Sequence, residues 1–133
     1  MFKDIGHGIK SALNNISSLR VFSPDELPGS VVAPAALIML EEVSYRAEFG
    51  DKCDCKFKIT ILISEASRPA CLDRLVAFIE TEGENSVPAA LEEDPTFGGT
   101  CSASILRRNT GFGVTEWASI SYLSTDFELD VYL

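Results

Sequence analysis

Between residues 53 and 63 every odd position is apolar: Cys53, Cys55, Phe57, Ile59, Ile61 and Ile63. The even positions carry Asp54, Lys56, Lys58 and Thr60, with Leu62 the apolar exception. Side chains alternate across a strand with period two, so this stretch predicts a long strand with one covered face and one wetter face. Leu72, Leu75, Val76 and Ile79 then recur at helical spacing. Ser67 is placed to cap that helix, Pro69 suits its first turn, and Gly83 closes it with a residue that tolerates the left-handed conformation. A second, short helix starts at Ser86-Val87-Pro88 and is stopped by Pro95 and Gly98-Gly99.

At the other end, Phe2, Ile5, Ile9, Leu13 and Ile16 predict an amphipathic helix over 2–17. Gly6 and Gly8 each weaken it by about 1 kcal/mol relative to alanine, so it depends on docking to the rest of the fold. Residues 17–29, with Pro24 and Pro28, read as a connection. A strand follows over 35–49, its start near Pro34 suiting an edge position. The turn Gly50-Asp51-Lys52 makes a hairpin with the long alternating strand. After the helices, 100–108 alternates through Cys101, Ala103 and Ile105, and 109–113 reads as a turn or longer loop. Trp117, Ile120 and Tyr122 begin another extended segment, and Phe127, Leu129, Val131 and Leu133 alternate with Glu128, Asp130 and Tyr132. The expectation is one α+β domain over 1–133: the helix 2–17, then a mostly antiparallel sheet of four or more strands, with helices packed on one face, over 31–133.

Length and composition agree with a single soluble domain: 133 residues, 46% hydrophobic and 23% charged. No apolar run approaches the roughly 20 residues that span a bilayer. Residues 1–16 lack the apolar core of a signal peptide, which points to folding in a cytoplasm with the four cysteines as free buried thiols. Net charge is −9 and unevenly spread: residues 1–66 hold seven Lys/Arg and nine Asp/Glu, whereas residues 67–133 hold four and eleven. Between Arg74 and Arg107 there is no basic residue, but Glu80, Glu82, Glu84, Glu92, Glu93 and Asp94 all fall there. Such a surface repels phosphates and argues against ordinary nucleic-acid binding; its simplest role is a solvated acidic face.

The candidate chemistry is sparse. Cys53 and Cys55 point to one face of a strand and offer two ligands, but zinc takes four and its usual knuckle spacing sits on a turn. Cys71 falls on a helix, Cys101 on another strand, and His7 is the sole imidazole, so core thiols are the better account. No histidine pair exists for acid–base work, and a Cys–His pairing would need a tertiary contact that spacing does not supply. No catalytic residue, metal or cofactor is assigned. Gly98-Gly99 and Gly111-Phe112-Gly113 fit neither phosphate-loop pattern. The second pair flanks Phe112 and follows Arg107-Arg108: either a hairpin tip with an apolar anchor that reorders when a partner arrives, or a plain loop with Phe112 folded back on the core. Arg68 and Asp73 either cap and solvate the main helix or contact a neighbour in a ring. The apolar C-terminal segment completes the sheet or leaves its edge to a neighbour.

In order along the chain stand Arg68 after a strand, Leu72-Asp73 in a helix, Ser86-Val87-Pro88, Asp94-Pro95-Thr96, and Gly98-Gly99 before the next strand. This arrangement resembles the tail terminator proteins of long-tailed, siphovirus-type bacteriophages. The likeness extends to the N-terminal helix, the prolines at 24, 28 and 34, the segment with Tyr45 and Phe49-Gly50, and the C-terminal strand. The resemblance implies a structural virion protein rather than an enzyme: a hexameric ring that caps the head-proximal end of the tail tube. Such a ring ends tube polymerisation and gives the head connector a docking surface. The implied partners are further copies of the chain, the tail tube protein, a head-closure or connector protein, and DNA only as the genome passing through. Assembly would take place in the host cytoplasm, and the product would sit at the tail neck of the virion.

On that resemblance, Arg68 and Asp73 become contacts between neighbours. Gly50, Asp51 and Lys52, together with Arg107, Arg108 and Phe112, become inter-subunit or axial contacts. The run Glu80, Glu82, Glu84, Glu92, Glu93 and Asp94 becomes a negative channel wall along which DNA slides without sticking. Two alternatives stand beside it. One is a head-closure or tail-completion neck protein. The more distant is a thiol or metal-binding enzyme using the cysteines, which stoichiometric zinc in the purified protein would reveal.

Overall fold

The computed structural model of the chain describes residues 2–45, 53–65 and 72–133. In chain order these form α1 (Phe2–Leu13), β1 (Arg20–Phe22), a 3-10 turn (Pro24–Glu26), β2 (Ala35–Tyr45), β3 (Cys53–Glu65), α2 (Leu72–Ile79), α3 (Val87–Glu92), β4 (Ala103–Asn109), β5 (Gly113–Trp117) and β6 (Ile120–Tyr132). The described strands make a six-stranded sheet in the order β1-β2-β3-β6-β4, with β5 also paired to β6. The β1–β2 pair is parallel and the others antiparallel. The class is α+β, as the alternation predicts.

The odd positions of β3 from Cys53 to Ile63 are all buried, and Cys55 to Ile63 meet Ala36 and Ile38 of β2 and Phe127, Leu129 and Val131 of β6 in one cluster. The same cluster takes in Ile5, Ile9 and Leu13 of α1, Leu75 and Phe78 of α2, and Val87 and Leu91 of α3. The helices thus cover one face of the sheet. Fully burying a side chain such as Ile59 or Phe57 contributes roughly 1.5–3 kcal/mol, so this face holds most of the stabilising burial.

The wetter face departs from expectation at one end. Thr60, Leu62 and Ser64 are buried as well. Leu37, Leu62 and Tyr122 form a second cluster there, joined by Phe22, Val31, Ala33, Met39 and Trp117. The segment 28–33 straps across this end: the Trp117 indole N–H donates to the Pro28 carbonyl (3.1 Å) and the Tyr122 hydroxyl to that of Val31 (3.4 Å). The connection expected over 17–29 also contains β1, whose Arg20 N–H donates to the Pro34 carbonyl at 3.2 Å.

Several boundaries move. α1 ends at Leu13 rather than residue 17, because Asn14 and Asn15 are poor helix formers; shorter turns through Ile16 and Leu19 still bury both side chains. The described part of the main helix ends at Ile79, ahead of Gly83, and its buried pair is Leu75 and Phe78, with Val76 exposed. The Ser67 cap and Pro69 lie outside the described residues. Ser86 does cap α3, its Oγ accepting the Ala89 N–H at 3.1 Å and donating to the Glu80 carbonyl. β2 is described to Tyr45, and the Gly50-Asp51-Lys52 turn lies outside the described residues.

The glycines of α1 prove to be packing residues. A Cβ on Gly6 would stand 2.8 Å from Pro24 Cδ, and one on Gly8 would stand 2.7 Å from Phe97 Cβ and 2.8 Å from the Phe97 carbonyl. Phe97 is itself buried with φ +48°, in a turn held by Asp94. Gly8→Ala should therefore lower the denaturation midpoint, the contact outweighing the roughly 1 kcal/mol that helix propensity favours. Gly29→Ala, with nothing within 4 Å of the added Cβ, serves as a near-neutral control. A midpoint raised by Gly8→Ala would show that the turn yields.

Candidate functional site

β4 and β5 lie end to end along one side of β6. Ala103–Asn109 pairs with Tyr132 back to Phe127, and Gly113–Trp117 with Ser124 back to Ile120. Three residues, 110–112, therefore stand opposite only 125 and 126. This corrects the reading of 109–113 as a turn or hairpin tip: it is a bulge within one interrupted edge strand. The chain reverses instead at Ala118-Ser119, where both residues have positive φ (53° and 67°), as a two-residue hairpin of the primed type requires.

The bulge is built from hydrogen bonds. The Asn109 side-chain amide donates to Thr125 Oγ1 (2.7 Å) and the Asp126 carbonyl (3.1 Å), and its Oδ1 accepts the Gly111 N–H (2.8 Å). The Thr110 N–H donates to the Asp126 carbonyl at 3.0 Å. Gly111, at φ +76°, supplies the left-handed step. Phe112 is consequently held outward, 62% exposed, not folded back on the core. Ile105 (44%) and Val114 (65%) are exposed on the same edge. Its outer side has no strand partner among the described residues. Open edges in soluble proteins are usually guarded by charge, proline or shortness, so a long edge carrying three exposed apolar side chains is a candidate interface.

Arg107 and Arg108 belong to β4, within the extended segment expected over 100–108. A register shift between Leu106 and Arg108 lets both consecutive arginines reach carboxylates of β6. Arg107 Nε donates to Asp130 Oδ2 (2.6 Å) and its NH2 to the Tyr132 hydroxyl (2.8 Å). Arg108 grips Glu128 in a two-pronged pair and holds that carboxyl below the usual range. Lys56 meets Glu42 at 3.7 Å, so acidic and basic columns alternate from β2 to β4 across this open face. Exposed pairs of this kind contribute little stability, about 0–1 kcal/mol each. Both guanidinium side chains remain half or more exposed.

The acidic run lies on the helical side. Glu80, Glu82, Glu84, Glu92, Glu93 and Asp94 are exposed or nearly so, at the end of α2, in the following connection and at the end of α3. Asp94 also organises its own turn. It accepts the Thr96 N–H (3.1 Å), the Thr96 hydroxyl (2.7 Å) and the Gly98 N–H (2.8 Å), which together lower its pKa. Asp73 is exposed in the first turn of α2. Arg68, Gly50, Asp51 and Lys52 lie outside the described residues.

Sequence spacing missed one polar cluster, because its pairs join α1 to residues 16 to 22 positions further along the chain. His7 Nε2 lies 3.2 Å from Asp25 Oδ2, Lys3 Nζ 3.8 Å from the same atom, and Lys10 Nζ 2.9 Å from Glu26 Oε1. Beneath them, the buried Ser23 Oγ is 2.7 Å from Asp25 Oδ1 and 2.5 Å from Glu26 Oε1, its single hydrogen shared between the two. The ligand atoms of His7, Asp25 and Glu26 lie within 4.8 Å of one another, but both lysines already neutralise the carboxylates, and the network ties α1 to the 3-10 turn. Cys53, Cys55 and Cys101 are free and buried; burial first, then the neighbouring Cys53, pushes the Cys55 thiol up to about 12. A thiol so far from ionisation is a poor nucleophile and metal ligand at neutral pH. No described helix is long and apolar enough to cross a membrane. No protein-family model and no curated protein matches this chain.

The polar cluster has a measurable consequence. Asp25 and Glu26 are held below their ordinary values of 3.8 and 4.5, chiefly by the Ser23 hydroxyl. Carboxyls lowered in the folded state stabilise it above their unfolded values and lose that contribution as pH falls through the lowered ones. Ser23→Ala should therefore flatten the fall of the denaturation midpoint between about pH 5 and pH 3. Parallel profiles for the two proteins would remove the cluster from the acid response.

Proposed function

We propose that the chain is a structural protein of the tail-terminator type. It forms a ring, hexameric by the resemblance, that caps the head-proximal end of a phage tail tube, stops subunit addition and receives the head connector. The role needs no catalysis: the ring acts through the surfaces it offers to its own copies, to the tube and to the head side. The observation that carries the reading is the β4–β5 edge, unpaired on its outer side among the described residues and bearing exposed Ile105, Phe112 and Val114. A long edge with those side chains fits a subunit that lives in an assembly better than a free monomer. The exposed Glu80, Glu82 and Glu84 of the helical side fit a surface past which DNA moves without binding, since like charges repel the phosphates.

The test is electron microscopy of particles assembled without this chain. Tails of uncontrolled, excessive length that fail to join heads are the expected result. Tails of normal length beside unattached or leaking heads would move the protein to the head-closure side of the neck, and intact particles would refute both.

A further inference from the structure

On the helical side, α1 and the 90–98 segment enclose a groove of about 500 Å³. Small side chains and one aromatic, Gly8, Ala12, Ala90 and Phe97, line it together with Glu93 and Asp94. Glu93 is exposed and has no ion-pair partner among the described residues. Between Arg74 and Arg107 the sequence supplies no positive charge to offset this wall.

The β4–β5 bulge has the complementary character. Phe112 projects from the bulge as an apolar knob, and residues 103–114 contain two arginines and no acid. The Arg107 and Arg108 side chains remain half or more exposed beside their β6 partners, so both can face a second acidic surface. We infer that Phe112 of one copy docks into the α1–α3 groove of the next, with Arg107 and Arg108 against Glu93 and its acidic neighbours. Aromatic and arginine side chains are the usual anchors of such contacts. Knob and groove are different patches of one subunit, so each copy can give its knob to one neighbour and its groove to another; repeated with a rotation that closes, this head-to-tail contact makes a ring. The inference rests on the ring reading above and names the surfaces that make it.

The test is native mass spectrometry of the full chain over rising concentration, with the fold of each variant checked by its thermal midpoint. The wild-type chain should form closed rings. Phe112→Asp, which removes the knob, and Ser11→Trp, which fills the groove from an exposed position lining it, should each remain monomeric. Mixed one to one they should form dimers and nothing larger, because only one intact knob and one intact groove remain per pair. Glu93→Lys, a gentler change that turns the attraction for the two arginines into repulsion, should weaken ring formation about tenfold (about 1.4 kcal/mol). Rings formed by Phe112→Asp at wild-type concentrations, or mixtures growing past dimers, would overturn the inference and leave the ring reading intact. A wild-type chain that stays monomeric throughout would also overturn it, while tail length in particles lacking the chain judges the terminator reading separately.

Discussion

The pairing of β3 with β6 is the constraint on which the rest of the molecule depends. Both strands run 13 residues, and their ladder extends from Asp54–Tyr132 to Glu65–Tyr122. Every odd side chain of β3 from Cys53 to Ile63 is driven to one face, and that face fixes where the helices must sit. A slip of one residue would turn Phe57, Ile59 and Ile61 to the charged side, so the register is strongly specified. β6 then serves as a template on its other side, holding β4 and β5 in succession.

Three surfaces of different chemistry follow from that arrangement. The open sheet face is polar and internally neutralised, its carboxylates on β2 and β6 facing cations on β3 and β4. The helical side carries the uncompensated acid. The β4–β5 edge is apolar and hydrogen-bond-competent, and its bulge fixes Phe112 outward rather than leaving it on a loose tip. On the proposed reading the edge, with Arg107 and Arg108 beside it, and the acidic side are the assembly surfaces, and the rest of the neutralised face is left to solvent. Pre-formed contacts of this kind bind without the ordering cost that a mobile loop would carry.

The fold class and the long strand were legible because period-two alternation sustained along β3 has no competing explanation. The cap at Ser86 was legible for a similar local reason. The hairpin at Ala118-Ser119 was not, since alanine and serine are not the residues a turn with two positive φ angles favours. That turn is imposed by the pairing of β5 with β6, and missing it made the 109–113 bulge look like the reversal. The roles of Gly6 and Gly8 were hidden because their reason lies across the fold, in Pro24 and Phe97. Of the candidate site, Phe112 and the arginines could be named from sequence, but their engagement with Asp130 and Glu128 depends on a register shift that no spacing reveals. The Ser23–Asp25–Glu26 network likewise meets His7 and Lys10 only once α1 docks.

The most direct test of the central claim, that the β4–β5 edge is the working surface, is amide hydrogen exchange across residues 103–117, in the free chain and in the chain bound to tail tubes. The edge amides should exchange quickly when free and gain protection on assembly, while the β3 amides, already in the ladder, stay protected in both. Edge amides that exchange equally fast in the bound chain would mean that the edge remains open in the assembly, and the claim would fail at its base.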